Sequence, residues 1–226
     1  MRFVGIAALL LALASASVVA ATATGAPGAL TAVVKDDTGS AVEDAVVSLM
    51  PVGAPPTATR GTRAVMDQRD KEFVPRVLPV VVGTPVTFPN RDNIRHHVYS
   101  FSPAKKFELP LYIGTPAEPI VFDKPGVAVL GCNIHDWMVA YVYVLTTPYF
   151  AKSGGDGTLT VAQVAPGRYE ARVWHPRMRG DADKTARPVT IGAGETSEVP
   201  FVLSLRRERQ APRGPGRYEG VQGGGG

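Results

Sequence analysis

Cysteine is almost absent from this sequence, since Cys132 is the single one among 226 residues. No disulfide can therefore form within the chain. Regular helical patterning is also missing, because no segment keeps a 3.6-residue apolar period over three turns. No apolar run reaches the roughly 20 residues that a membrane-spanning helix needs. These absences exclude a small disulfide-stapled fold, a helical bundle and a helical membrane protein.

The first 23 residues have the layout of a secretory signal peptide. Met1 and Arg2 are followed by an apolar stretch over residues 3–14 and then by small residues, which is the order typical of export signals. Three positions fit cleavage after a small residue: Ala16, Ala20 and Ala23. We expect a periplasmic or otherwise secreted protein with no membrane span after cleavage, and an uncleaved anchor is the alternative, which the single flanking positive charge disfavours. A lone thiol in such an oxidising compartment needs a chemistry other than an internal disulfide.

The formal net charge of +4 is unevenly distributed along the chain. Residues 65–146 contain eight basic and eight acidic residues, whereas residues 206–226 contain five Arg and two Glu. This last segment is rich in Arg and Gly and has no apolar periodicity, which predicts a disordered basic tail. The balanced charge of the middle region gives no sign of a nucleic-acid surface, so we expect proteins as partners.

Short valine-rich runs bounded by turn residues indicate an all-β chain, and the 24 Gly and 20 Pro fit frequent turns. Residues 30–49 predict a hairpin of two strands around an Asp-Asp-Thr-Gly turn. Residues 155–174 predict two strands around a Pro-Gly turn, the second with one face formed by Tyr169, Ala171 and Val173. Two further strands are predicted at residues 187–191 and 198–204.

Residues 132–138, Cys-Asn-Ile-His-Asp-Trp-Met, bring a thiol, an imidazole and a thioether into one short loop. These are soft ligands of the kind that select copper over hard cations. A second imidazole is available upstream from the adjacent His96 and His97. This combination resembles the type 1 copper site of cupredoxins, the blue copper proteins.

The resemblance extends over residues 65–146. Asn90 precedes His96 by six positions, as in the plastocyanin and amicyanin branch, and a Phe-x3-Gly-x5-Cys pattern leads into Cys132. The Cys-x2-His and His-x2-Met spacings are similar to those of amicyanin. The resemblance implies a Greek-key cupredoxin sandwich that binds one type 1 copper ion through four ligands: His96, Cys132, His135 and Met138.

Strand alternation separates the two adjacent histidines. Successive strand residues point to opposite faces, so only one of His96 and His97 can reach the metal. The Asn90 register favours His96 and leaves His97 to support the surroundings of the site. The same alternation points the cysteine into the sandwich, because one face is shared by Ala128, Leu130 and Cys132.

The other residues of the loop predict its surface. Asp136 adjoins His135 and is expected to be a solvated carboxylate, although it is also a possible hydrogen-bond partner, or a hard ligand if the metal were zinc. Ile134 and Trp137 predict an apolar patch around the imidazole of His135. Outside this loop, His175 ends a strand before a proline and is interpreted as structural.

The segments that flank residues 65–146 resemble the two halves of a carboxypeptidase-regulatory-like sandwich. The first carries Val-x-Asp-x2-Gly from Val34, and the second carries Asp-Gly and then Pro-Gly-x-Tyr ending at Tyr169. Neither half has enough strands to bury a core alone. We therefore expect a sandwich formed by residues 24–64, including a connecting loop at residues 51–64, together with residues 147–205. The cupredoxin domain would be inserted between these halves, and two sandwiches in sequence are the alternative.

A type 1 copper site implies a non-enzymatic carrier of single electrons. The resemblance to amicyanin implies a dehydrogenase or a c-type cytochrome as redox partner. Copper storage or delivery is an alternative function, but the Met- and His-rich tract typical of such proteins is missing. Four histidines are too few for the trinuclear centre of a multicopper oxidase. A cell-envelope binding module with a vestigial copper site is the remaining alternative.

Overall fold

The computed structural model describes residues 25–53 and 62–207. This part of the chain consists of strands and loops with one short 3-10 helix at Ala182–Thr185, so the all-β expectation is confirmed. The predicted signal peptide, most of the predicted loop over residues 51–64 and the tail from residue 208 onward lie outside the described residues. No helix within the described ranges is long and apolar enough to cross a membrane.

The strands fall into three groups along the chain. The first group is β1 Gly28–Asp36 and β2 Val46–Pro51. The middle group is β3 Ala64–Val65, β4 Asp67–Arg69, β5 Glu72–Val74, β6 Val77–Val81, β7 Thr84–Thr87, β8 His96–Ser102, β9 Lys105–Tyr112, β10 Ile120–Phe122, β11 Gly126–Gly131 and β12 Val139–Leu145. The last group is β13 Phe150–Lys152, β14 Thr158–Val164, β15 Gly167–Trp174, β16 Arg187–Ile191 and β17 Thr196–Leu203.

Strands of the first and last groups hydrogen-bond to one another. One sheet has the order β14-β1-β17 and the other has the order β13-β2-β15-β16. Both sheets contribute to a single apolar core, in which Leu30 of β1 and Leu49 of β2 are fully buried. The shared face predicted for β15 is confirmed, since its inward residues are at most 5% exposed: Tyr169, Ala171 and Val173.

The prediction that residues 30–49 form a hairpin is wrong, because β1 and β2 do not pair with each other. β1 pairs with β14 and β17, whereas β2 pairs with β13 and β15. The turn after β1 forms as expected, because the Asp36 carboxylate accepts hydrogen bonds from the backbone N–H groups of Thr38 and Ser40, both at 2.9 Å. The chain then crosses to the opposite sheet, which lets both strands turn apolar residues toward the same core.

The middle group forms a five-stranded sheet of order β6-β12-β11-β8-β9, a three-stranded sheet of order β10-β7-β3 and the β4–β5 hairpin. Phe88, Phe122 and Leu130 are buried in its core, and complete burial of each such side chain contributes about 1.5–3 kcal/mol. Residues 72–81 form two strands, β5 and β6, rather than one continuous strand. Pro75 lies at the break, where it has no backbone N–H to continue a ladder.

An apolar contact joins strands of the middle group to strands of the other two groups. Trp174 of β15 lies 4.7 Å from the ring of Tyr143 and 6.1 Å from that of Tyr141, between ring centroids. These rings pack against a small buried cluster drawn from three strands: Val46, Val77 and Leu145. The two cores are therefore packed against each other at this point.

Candidate metal centre

Cys132 follows β11 directly and is 3% exposed. Ala128 and Leu130 of β11 are fully buried, so the inward direction that strand alternation predicts for Cys132 is confirmed. The thiol is unpaired and lies in the core of the middle group of strands. A buried free thiol has few of the routes to oxidation that an exposed one has.

Two imidazoles approach this thiol. His96, the first residue of β8, is fully buried, and its Nδ1 lies 3.9 Å from Cys132 Sγ. His135, in the loop after the cysteine, has its Nδ1 3.8 Å from the same sulfur. One ligand atom from each of the three residues lies within 4.8 Å of the other two. The fold thus brings together residues that are 39 positions apart in the sequence.

These separations fit three ligands around one metal ion. At bond lengths of about 2.3 Å to sulfur and about 2.0 Å to nitrogen, a sulfur and a nitrogen ligand 120° apart would lie about 3.7 Å from each other, close to the 3.9 and 3.8 Å between Cys132 Sγ and the two imidazole nitrogens. The group contains no carboxylate, and thiolate with imidazole favours copper or zinc over magnesium or calcium. The residue types and the two sulfur–nitrogen separations therefore fit a soft metal ion.

Met138 lies in the same core cluster as Cys132 and is 1% exposed. Its backbone N–H donates to the carbonyl of His135 at 2.9 Å, which closes the loop before β12 begins. The side chain is buried in the apolar core that also holds the thiol. Its role as the fourth ligand stays a prediction.

The remaining two histidines lie outside the ligand cluster. His97 is on the opposite face of β8 from His96, where its Nε2 contacts Glu108 Oε1 at 2.8 Å and its ring lies 5.6 Å from that of Tyr99. His175 is buried, and its Nδ1 accepts a hydrogen bond from the backbone N–H of Arg177 at 3.2 Å. That contact agrees with the structural interpretation of His175.

Asp92 is a neighbour of the site that the sequence reasoning missed. Its Oδ2 lies 2.7 Å from His96 Nε2, and the backbone N–H groups of Asp70 and Lys71 donate to its two carboxylate oxygens at 2.7 and 2.9 Å. Partial burial raises the pKa of Asp92, but the hydrogen bonds from His96, Lys71 and Asp70 outweigh it and hold that pKa below its ordinary value. The only hint of this contact in the sequence was that Asp92 lies four positions before the candidate ligand His96.

Asn90 braces the segment that carries His96. Its Nδ2 donates to the carbonyls of Ile94 at 2.8 Å and Tyr112 at 2.9 Å, and its Oδ1 accepts the N–H of Asp92 at 3.0 Å. An asparagine six residues before the histidine therefore shapes the backbone rather than contacting the cluster.

Two apolar residues, Ile134 and Trp137, lie beside His135 in its loop, next to the exposed polar residues Asn133 and Asp136. Ile134 is 49% exposed, and the Trp137 ring lies 5.1 Å from that of His135. Asp136 is exposed and is not part of the ligand cluster. Burial, with a smaller contribution from His96 and Lys71, lowers the pKa of His135. A lowered pKa favours the neutral imidazole, which is the form that ligates a metal.

Tyr99 covers the backbone next to the thiol. It pairs with Gly131 across β8 and β11, and a Cβ added at Gly131 would lie 2.7 Å from the Tyr99 ring. Only glycine permits this close approach. The Tyr99 ring in turn lies 5.2 Å from that of Phe101, which is 73% exposed.

Comparison with solved structures finds copper proteins. A reduced Cu(I) form of an amicyanin mutant is 24% identical, with 44% of this chain and 98% of that chain covered and a TM-score of 0.34. A purple cupredoxin from Nitrosopumilus maritimus is 26% identical. The match covers 37% of this chain and 99% of that chain, with a TM-score of 0.32. A copper-containing nitrite reductase from Thermus scotoductus is 27% identical over 42% of this chain, with a TM-score of 0.35.

Each of these likenesses spans less than half of this chain, and the TM-scores are low. The matched part corresponds to only 25% of the nitrite reductase chain. No family model matches the chain, and no curated protein matches it either. The resemblance of the flanking segments to a carboxypeptidase-regulatory-like sandwich is not tested by these comparisons and stays a prediction.

Proposed function

We propose that this protein is an exported type 1 copper protein that transfers single electrons between periplasmic redox partners. The observation that carries the proposal is the convergence of one buried thiol and two imidazoles within 4.8 Å. Copper bound there would supply the one-electron Cu(I)/Cu(II) couple. Its ligands would be His96, Cys132, His135 and Met138.

Each proposed ligand has a role that follows from its place in the fold. Cys132, as a thiolate, would be the strongest donor and the main electronic connection to the protein. His96 is fully buried and fixes one side of the site. His135 lies at the surface end, beside the exposed Ile134, and would be the contact through which electrons enter or leave. Met138 would be the weak axial ligand.

The local structure favours electron transfer over chemistry on a substrate. Cys132 follows β11 and His96 begins β8, both paired strands, and the Met138 N–H is hydrogen-bonded to the carbonyl of His135, so the backbone that carries these residues is held by the fold. A site with little freedom to rearrange suits a metal that changes oxidation state. We therefore propose a carrier rather than an enzyme, with a dehydrogenase or c-type cytochrome as partner.

One spectrum tests the proposal. Addition of one equivalent of Cu(II) to the apo-protein should produce an intense visible band from thiolate-to-copper charge transfer and an EPR signal with narrow copper hyperfine splitting. Weak d–d absorption alone, or tight binding of zinc with displacement of copper, would instead indicate a site that is not type 1.

The surface around His135 gives a prediction about docking. Because Ile134 is 49% exposed and residues 65–146 carry balanced charge, we expect an apolar contact with the partner. Ile134→Lys should lower the bimolecular rate of electron transfer to a soluble c-type cytochrome by about tenfold, equivalent to ~1.4 kcal/mol. Stopped-flow absorbance at the copper band measures this rate.

Two controls accompany that measurement. Val202→Lys places the same charge on an exposed residue of β17 and should change the rate less than twofold. Removal of residues 208–226 should also have little effect, and the rate should fall only slightly as salt is raised. A rate that collapses with salt and with loss of the tail would identify the basic tail as the recognition element instead.

We also propose that residues 65–146 are a copper domain inserted into a sandwich made of residues 24–64 and 147–205. The pairing of β1 with β14 and β17, and of β2 with β13 and β15, supports this division. A variant in which a short Gly/Ser linker replaces residues 65–146 should remain a soluble β protein with a cooperative melting transition. Its melting temperature should be lower, since the Val46, Val77 and Leu145 cluster is lost.

A chain that ends at Thr146 is the matched control for the excised variant. It keeps β1 and β2 but lacks every strand with which they pair, so we expect residues 28–51 to be unstructured by hydrogen exchange. Unfolding of the excised variant, combined with a folded segment 28–51 in the truncated chain, would establish two sandwiches in sequence.

A further inference from the structure

The two imidazoles of the site are both connected to a turn that contributes no ligand. This turn, Asp70–Lys71, joins β4 to β5 in a two-residue hairpin in which Arg69 pairs with Glu72. Asp70 and Lys71 have φ values of 52° and 60°. Both values lie in the left-handed region, as a type I′ turn requires, although neither residue is glycine.

The first connection runs through Asp92. The carboxylate accepts the backbone N–H of Asp70 at 2.7 Å and that of Lys71 at 2.9 Å, so it holds both amides of the turn. The same carboxylate lies 2.7 Å from His96 Nε2. An ionised carboxylate can only accept, so Nε2 of His96 carries the proton and donates it. The lone pair of His96 is then on Nδ1, the atom near the Cys132 sulfur.

The second connection runs through Trp137. Its indole Nε1–H donates to the carbonyl of Lys71 at 3.2 Å, and its ring lies 5.1 Å from the ring of His135. Lys71 therefore makes a hydrogen bond toward each imidazole: its backbone N–H donates to Asp92, and its carbonyl accepts from Trp137.

The hairpin that carries this turn is itself firmly held. Gln68 of β4 is fully buried, and its backbone N–H donates to the carbonyl of Pro89 at 2.9 Å while its carbonyl accepts the N–H of Arg91 at 2.9 Å. Phe73 of β5 is packed in the core that contains Cys132. The turn is therefore a fixed support rather than a mobile loop tip.

We propose that the Asp70–Lys71 turn is a positioning element that fixes both imidazoles of the site, through Asp92 for His96 and through Trp137 for His135. An anionic acceptor on the far nitrogen makes an imidazole a stronger donor to the metal. A stronger donor stabilises Cu(II) more than Cu(I), so Asp92 lowers the reduction potential. The effect on the potential rests on the proposed copper function, whereas the positioning of the rings does not.

Asp92→Asn tests the first connection, since it keeps the shape of the side chain and removes its charge. The reduction potential of the copper form should rise by at least 59 mV, which corresponds to a tenfold change in the relative affinities for Cu(II) and Cu(I). Asp136→Asn is the matched control, because it removes an exposed carboxylate next to His135. Equal shifts in the two variants would mean that charge alone acts, and would overturn the proposal.

Two measurements on the metal-free protein keep the test independent of copper. Long-range 15N–1H NMR should show the Nε2–H tautomer of His96 in the wild-type protein and a loss of that preference in Asp92→Asn. The amides of Asp70 and Lys71 should exchange with solvent at least tenfold faster in the same variant. A Nδ1–H tautomer in the wild type, or unchanged exchange, would contradict the proposal even if the protein binds copper.

Trp137→Phe tests the second connection, because it keeps an aromatic ring and removes the N–H that reaches Lys71. The EPR hyperfine splitting should change, and the effects of Trp137→Phe and Asp92→Asn on the potential should not add if one turn serves both. Simple additivity would refute a shared support.

Asp92→Glu is a control for the fold, because it retains the charge. It should recover part of the wild-type potential, which would show that the shift in Asp92→Asn does not come from a folding defect. A colourless wild-type protein with Cu(II) would reject the copper function while leaving the tautomer result to decide the positioning.

Discussion

Cys132→Ser is expected to abolish the intense visible band of the Cu(II) form completely. The band requires a thiolate donor, and the described residues contain no other cysteine to replace it. A serine hydroxyl has a far higher pKa than a thiol and does not supply a soft anionic ligand at neutral pH. Absorption spectra of purified protein with one equivalent of Cu(II) check the result directly.

The fold should survive this substitution. Cys132 is 3% exposed, and serine is slightly smaller, so the melting temperature of the apo-protein should fall by only a few degrees. Met66→Leu is a useful control, because it alters another buried sulfur-containing residue of the same core and should leave the band in place. Persistence of the band in Cys132→Ser would end the type 1 assignment.

Replacement of the two adjacent histidines by alanine should give opposite results. His96→Ala removes an imidazole whose Nδ1 lies 3.9 Å from Cys132 Sγ, and we expect Cu(II) affinity to fall by more than about 100-fold, since loss of supporting residues alone costs 10–100-fold. His97→Ala removes a ring that contacts Glu108 and Tyr99 on the other face of β8. It should keep the blue band and shift its properties slightly.

Competition with a chromophoric copper chelator measures both affinities. Glu108→Gln is the matched control for His97→Ala, because it weakens the same surface contact without touching the ligand segment. Loss of the site in His97→Ala with retention in His96→Ala would mean that the segment after Asn90 lies one residue out of register.

The inward direction of Cys132 could be predicted from the sequence because strand alternation is a local property. Once residues 126–131 form a strand, the position of Ala128 and Leu130 in the core decides that the next residue in phase, Cys132, also faces inward. The same rule lets only one of His96 and His97 face the core, and the Asn90 register of the cupredoxin resemblance favours His96. These predictions needed no knowledge of which strands lie next to each other.

The pairing of β1 with distant strands could not be read from its own residues. A turn such as the one at Asp36 is compatible with a hairpin and with a crossing to the opposite sheet, since both begin with the same local hydrogen bonds. The choice depends on which partner strand offers a complementary edge and apolar face. Those partners, β14 and β17, lie more than 120 residues along the chain.

The sequence by itself determined the strand-forming pattern, the inward cysteine and the set of soft side chains in one loop, because alternation and ligand chemistry depend on residue type and spacing. Only the tertiary structure decided that His96 meets Cys132 and His135 within 4.8 Å, and that Asp92 and the Asp70–Lys71 turn support the rings. Such contacts join segments that are far apart in the chain. Their geometry is fixed by the packing of the sheets and of the β4–β5 hairpin, which no local pattern specifies.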